Sequence, residues 1–164
     1  MAGLSPDARF AVSLRLYHGW HKGFEPTTRR KLIVSTAAAI EFSNLSARTN
    51  VLFRDSVEYG DRLVAASLSR LHPKLAIHLP GTLRDRGDAI VEEKMVDTAI
   101  ASDSISTAVR EPDRWILIVS DDDDLVPAAF TVEGLRRPDQ KRVHLLRRRV
   151  SRNLLKLEGM VIVA

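Results

Sequence analysis

Residues 9–17, Arg9-Phe-Ala-Val-Ser-Leu-Arg-Leu-Tyr17, alternate apolar and polar side chains, the period of two that predicts a strand. His18-Gly-Trp-His-Lys-Gly23 comes next as a glycine-punctuated turn. Residues 27–40 open with a capping threonine and three cations. Their β-branched run leaves helix and extended segment both open. A short strand is expected over 50–53, an apolar stripe at helical spacing over 61–70, and a strand over 74–79 stopped by Pro80-Gly81. Residues 82–87 read as a charged loop. Apolar residues at 96, 99, 100 and 105 then predict an amphipathic helix that begins near Asp97 and ends before Glu111-Pro-Asp113. The unbroken apolar run Trp115 to Val119 predicts a buried parallel strand. Further elements are a helix over 127–135, a strand over 141–146, a helical stretch from Asn153 and a last strand or docked tail over 159–164. Strands and helices in alternation define an α/β class with a mainly parallel sheet.

Length and composition narrow the class. The 164 residues suit one domain over 9–164 behind a loose tail at 1–8. Cysteine is absent, which excludes a disulfide framework and a cysteine-based zinc site. No signal-peptide core opens the chain, and no apolar run approaches the roughly 20 residues of a membrane span. The expectation is a cytoplasmic protein with no membrane partner. The formal net charge is +4 in spite of an acidic knot at 121–124, so basic residues gather elsewhere, at 29–31, 136–137, 141–142 and 147–152. That balance suits a polyanionic substrate, although each basic cluster alone is a solvated face as readily as a phosphate contact.

The chemistry sits where the apolar run meets the acids. Ligands of open α/β sheets bind beyond the carboxyl ends of strands, and here the strand at 115–119 leads into Asp121, Asp122, Asp123 and Asp124. Adjacent carboxylates repel, and a Mg²⁺ or Mn²⁺ ion among them relieves the repulsion. The plainer alternative is a solvated loop in which Asp124 caps a helix starting at Leu125. His18 and His21 lack companions at zinc-ligand spacing and are expected to contact backbone or phosphate. Trp20 is either a base-stacking platform or a buried loop anchor.

Lys94-Met-Val-Asp97, a second acid at Asp103, then a strand ending Ser120-Asp-Asp-Asp-Asp-Leu-Val-Pro127 form a two-motif pattern. It resembles the NYN family of PIN-like ribonucleases, which includes the LabA-like proteins. Lys94, Asp97 and Asp103 fall on that family's first motif, and Ser120, Asp122, Asp124 and Pro127 on its second. Asp121, Asp123 and Leu125 stand where the family has Gly, Ser and Phe. The resemblance is close over about 90–135. It implies a three-layer α/β/α, Rossmann-like domain that hydrolyses phosphodiesters in RNA, or in single-stranded DNA, with Mg²⁺ or Mn²⁺. Asp97, Asp122 and Asp124 would be catalytic metal ligands, with Asp103 auxiliary. Lys94, Ser120, Arg147 and Arg148 would meet the substrate. Lys94 has the alternative of pairing with an acid, and Ser120 that of satisfying the turn backbone.

The family's opening strand, with its own acid, has no counterpart before Arg9. Three expectations arise from this: an N-terminally incomplete domain, a homodimer or partner chain that supplies the missing strand, or a catalytically degenerate module that binds nucleic acid or protein. Asp122 to Val126 also reads as the nucleophile motif of haloacid-dehalogenase-like phosphatases, but that motif normally opens its fold with a long chain after it. A calcium loop lacks the required glycine and distal glutamate.

Overall fold

The alternating residues after Arg9 form β1 (Phe10–Leu16). The glycine-punctuated turn becomes a two-residue hairpin, β2 (His21–Lys22) against β3 (Glu25–Pro26). The β-branched segment is a helix, α1 (Thr28–Ala38), because Thr27 caps it: its Oγ1 accepts from the Arg30 amide at 3.2 Å. Such a cap contributes about 1 kcal/mol. No residue of α1 is buried. A 3-10 turn at Phe42–Leu45 leads into β4 (Val51–Tyr59), which lies parallel to β1. A further 3-10 turn spans Val64–Leu68, and β5 (Leu83–Asp85) pairs antiparallel with β6 (Val91–Glu93). Then come α2 (Val96–Arg110), β7 (Ile116–Val119), a 3-10 turn at Asp123–Leu125, α3 (Val126–Leu135), β8 (Val143–Arg147) and β9 (Val161–Val163).

This computed structural model describes residues 8–68, 78–87, 90–139, 142–148 and 160–163. Residues 1–7 of the expected tail, the bulk of the strand expected at 74–79 and the helical stretch expected from Asn153 lie outside the described residues. The class is mixed α/β with short parallel and antiparallel sheets: β1-β4, β2-β3, β5-β6 and the three-stranded β7-β8-β9. The chain forms two compact units. One comprises Met1–Arg62 with His72–Val96, the other Leu63–Leu71 with Asp97–Ala164.

In the first unit β4 runs well past the residues 50–53 expected as a strand. Val12 pairs with Phe53 and Leu14 with Val57, so Arg54, Asp55 and Ser56 are taken up opposite a single β1 residue. A bulge of this kind re-aims the chain beyond it. Past the end of β4 stands Gly60, where an added Cβ would run into the Tyr17 ring, and then Asp61. Residues 91–93, ahead of the expected amphipathic helix, are a strand, and residues 83–85 of the expected loop are its partner.

The second unit holds the larger core. Parallel β7 and β8 place Ile118, Val143 and Leu145 on one face, where Ala108 of α2, Val126, Ala129 and Val132 of α3, and Leu125 cover them. Leu125 and Val132 are wholly buried. Full burial of such side chains contributes about 1.5–3 kcal/mol each. The expectation that the run 115–119 is buried on both faces is corrected here. Leu117 and Val119 are exposed at 57% and 69%, and Trp115 at 42%. Helices α2 and α3 both lie on the Ile118 side, so the other face has no helix from this unit's described core against it.

The first unit ends at Val96 and α2 begins there, one residue after Met95, which adopts a left-handed backbone with φ +64°. A non-glycine residue in this conformation costs about 1–2 kcal/mol, and β-branching adds to it. Met95→Val is therefore expected to lower stability by about 1 kcal/mol or more, and Met95→Gly to be tolerated. Thermal unfolding checks this, and a stable Met95→Val chain would contradict it.

Candidate functional site

The four aspartates at the end of β7 divide by hydrogen bonding. Ser120 continues the ladder, its amide donating to the Leu146 carbonyl at 3.1 Å, and its Oγ accepts from the Asp122 amide at 3.1 Å. The hydroxyl thus satisfies the turn backbone, one of its two expected roles. Asp122 caps the 3-10 turn, with Oδ1 accepting from the Asp124 amide at 2.9 Å. The expected cap by Asp124 is corrected: the capping acid is Asp122, and α3 starts at Val126 with Leu125 ahead of it and no side-chain cap.

Asp121 and Asp123 face β8. Asp121 Oδ1 accepts from the Arg148 amide at 2.8 Å, and its Oδ2 takes the Arg148 Nε at 3.1 Å. Arg147 is buried, and its Nη2 reaches both the Asp121 carbonyl and the Asp123 carboxylate. Arg147 Nε and Nη1 have no hydrogen-bond partner among the described residues. A buried donor left in this state costs about 1–3 kcal/mol. Val119, Ser120, Asp121, Leu146, Arg147 and Arg148 line a cavity of about 220 Å³ at these strand ends.

Asp122 and Asp124 are exposed and act on Asp97 in the first turn of α2. The Asp97 carboxyl is held above the ordinary carboxylate value, by partial desolvation first and then by the Asp122 and Asp124 charges. A raised folded-state value means that Asp97 favours the fold at acid pH and that this contribution is lost as pH rises through that value. At neutral pH these three carboxylates oppose one another, and a bound cation would reverse the sign. The donor set, oxygen only, fits a hard cation such as Mg²⁺ or Mn²⁺, which keeps several waters and takes as few as one or two carboxylates. Among the described residues no three His, Asp or Glu side chains stand close enough to form a metal cage.

Asp103, the auxiliary acid, is buried. It is 2% exposed, and its Oδ1 accepts from the Val64 amide at 2.7 Å. Two turns beyond, Arg110 donates to the Val64 carbonyl at 3.2 Å. The two side chains tie the 3-10 turn at Val64–Leu68 to α2 within the second unit. Asp103→Ala is expected to cost about 2 kcal/mol, since it strands a buried amide from a charged acceptor. Asp103→Asn is expected to keep most of that stability and to leave cation binding unchanged. Thermal unfolding with a Mn²⁺ titration checks both, and lost Mn²⁺ affinity in a folded Asp103→Asn chain would restore Asp103 as a ligand.

Lys94 belongs to the first unit, where its Nζ lies 2.8 Å from Glu92 Oε1. Of its two expected roles the structure carries the ion pair. Several other cations of the basic clusters also have internal partners. Arg136 donates to the carbonyls of Glu111, Pro112 and Arg114, and Arg142 pairs with Glu133 at 3.0 Å. Trp20 is a buried anchor, 2% exposed, with its indole Nε1 donating to the Leu16 carbonyl at 3.2 Å.

The first unit contains a polar cluster that the sequence does not advertise. Asp61, buried just beyond β4, accepts from Arg30 Nε at 3.0 Å and Nη2 at 2.9 Å and faces His21 Nδ1 at 3.5 Å. The Arg30 guanidinium lies 4.3 Å from the Tyr59 ring centre. His18 pairs with Glu93. Both histidines thus contact carboxylates, where backbone or phosphate contacts were expected. The one hint in the sequence is an acid immediately after a glycine at a strand end.

No protein-family model, curated protein or solved structure matches the chain. Among the described residues no helix is long and apolar enough to cross a membrane.

Proposed function

We propose that this chain is a metal-dependent ribonuclease domain of the PIN-like, NYN type, with a three-layer α/β/α arrangement as its finer fold. The observation that carries the reading is the electrostatic convergence of three acids from two elements, Asp97 at the start of α2 and Asp122 and Asp124 beyond β7. They come from two sequence motifs at the separation the resemblance requires. Bound there, Mg²⁺ or Mn²⁺ would supply an activated water and neutralise charge on a phosphodiester. The chain's own part is to hold oxygen donors at a strand end, beside a turn whose backbone Ser120 and Asp122 satisfy.

A second reading is a module of the same type that binds nucleic acid or protein without cleaving it. The lack of a closed three-ligand group among the described residues favours it. Titration calorimetry with Mn²⁺, together with cleavage of single-stranded RNA and DNA with and without the ion, separates the two. Saturable Mn²⁺ binding with ion-dependent RNA cleavage is the expected result. Nucleic-acid binding with neither Mn²⁺ binding nor cleavage would replace the first reading by the second.

A further inference from the structure

Four consecutive aspartates give no indication of which of them face a common point. The hydrogen bonds on the β8 side supply it. The odd members, Asp121 and Asp123, are tied to Arg147 and Arg148, while the even members, Asp122 and Asp124, are exposed and bear on the Asp97 carboxyl through their charge. We propose that Arg147 is the positioning residue of the acidic turn. By anchoring the Asp121 carbonyl and the Asp123 carboxylate from the end of β8, it sets the phase of the turn so that Asp122 and Asp124, and not their neighbours, stand with Asp97. The inference rests on reading these three acids as the cation site.

Three observations beyond the cluster itself support this role. Arg147 is only 4% exposed although it ends a strand beside open aspartates, so its guanidinium is fixed by packing and not by chance solvent contact. It lies on the inward face of β8 with Val143 and Leu145, whose core position fixes its origin. It also stays buried with Nε and Nη1 unpaired among the described residues, an arrangement that stability alone does not favour. Such local costs gather at functional sites. Arg148 adds a second tie through its amide and Nε, but its side chain is 85% exposed, so Arg147 is the fixed member.

The test compares Arg147→Met, Arg147→Lys, Asp123→Asn and Asp122→Asn in the full chain. One readout is Mn²⁺ affinity. The other is hydrogen exchange of the Asp124 and Arg148 amides without metal. Arg147→Met is expected to weaken Mn²⁺ binding about tenfold or more, the usual effect of losing a residue that orients ligands. It should also speed exchange at those two amides and leave α2 and α3 protected. Arg147→Lys should recover part of both, and Asp123→Asn should weaken binding far less than Asp122→Asn. If Arg147→Met does not fold, the double variant Arg147→Met/Asp123→Ala removes the stranded acid and carries the same expectation. Wild-type Mn²⁺ affinity and wild-type exchange in Arg147→Met, or in that double variant, would overturn the proposal. So would an Asp123→Asn chain as impaired as Asp122→Asn. A wild-type chain that binds no Mn²⁺ would refute the cation reading alone, and the exchange rates would then decide the positioning role by themselves.

Discussion

If the chain is the ribonuclease proposed above, Asp122→Asn is expected to lower its Mn²⁺-supported cleavage of RNA by more than about a hundredfold, a larger loss than that of a partner which only orients a ligand. The substitution is informative because it separates charge from structure. Asparagine keeps the Oδ1 that accepts from the Asp124 amide and is as good a cap as aspartate, so the 3-10 turn persists. It also deletes one of the two charges that hold the Asp97 carboxyl up. Stability without metal should therefore stay within about 0.5 kcal/mol of wild type or rise slightly. Asp122→Ala loses the cap as well and is expected to cost about 1 kcal/mol more. Thermal unfolding beside a cleavage assay reads both quantities. A fully active Asp122→Asn chain would end the assignment of these acids as the catalytic group.

Asp61→Ala is expected to be the most damaging single change to the fold of the first unit, at about 3 kcal/mol, because it strips the buried carboxylate from the Arg30 guanidinium. Asp61→Asn retains an acceptor for Arg30 and should cost less. The same cluster predicts a pH dependence. The His21 value is lowered from 6.5, mainly by burial, with Asp61 acting to raise it, Arg30 to lower it and Glu25 to raise it. The fold therefore disfavours the protonated imidazole, and the unfolded chain takes up the proton first as pH falls. The stability it allows is present above the unfolded value and is lost as pH drops through the depressed folded one. Removing Asp61 deletes an influence that raises His21, so the acid sensitivity of Asp61→Ala should exceed that of wild type. Denaturant unfolding between about pH 8 and about pH 5 measures it. Equal slopes for the two chains would show that Asp61 does not act on His21.

The second unit is the more legible from sequence, and the reason is periodicity. The run 115–119 and the helical spacing at 96, 99, 100 and 105 lead directly to β7 and α2. What periodicity cannot report is which long polar side chains turn inward. Arg147 continues the period-two series of Val143 and Leu145, and that alternation is the available sign that it points to the core and not to a phosphate. Asp103 escapes a motif-based reading for a related reason. Six residues past Asp97 puts it about 240° around the helix, toward Val64, whose amide comes from a distant part of the chain. In the first unit Arg54, Asp55 and Ser56 break the apolar pattern of β4, and a bulge absorbs residues in a way that no local rule foresees. The β5-β6 pairing is hidden because Leu83–Asp85 is too polar to read as a strand and too short to show a period.

Each unit contains one of the chain's two tryptophans, in opposite surroundings. Trp20 is sealed in the first unit, edge-on to Tyr59 at 5.6 Å, whereas Trp115 lies 42% open in the second and stacks on His144 at 5.3 Å. Their emission should separate accordingly: a blue-shifted band that a soluble quencher barely touches, and a red-shifted band that it readily removes. With Trp20→Phe and Trp115→Phe, one fluorimeter cell can follow the melting of either unit alone and show whether they unfold together or in succession.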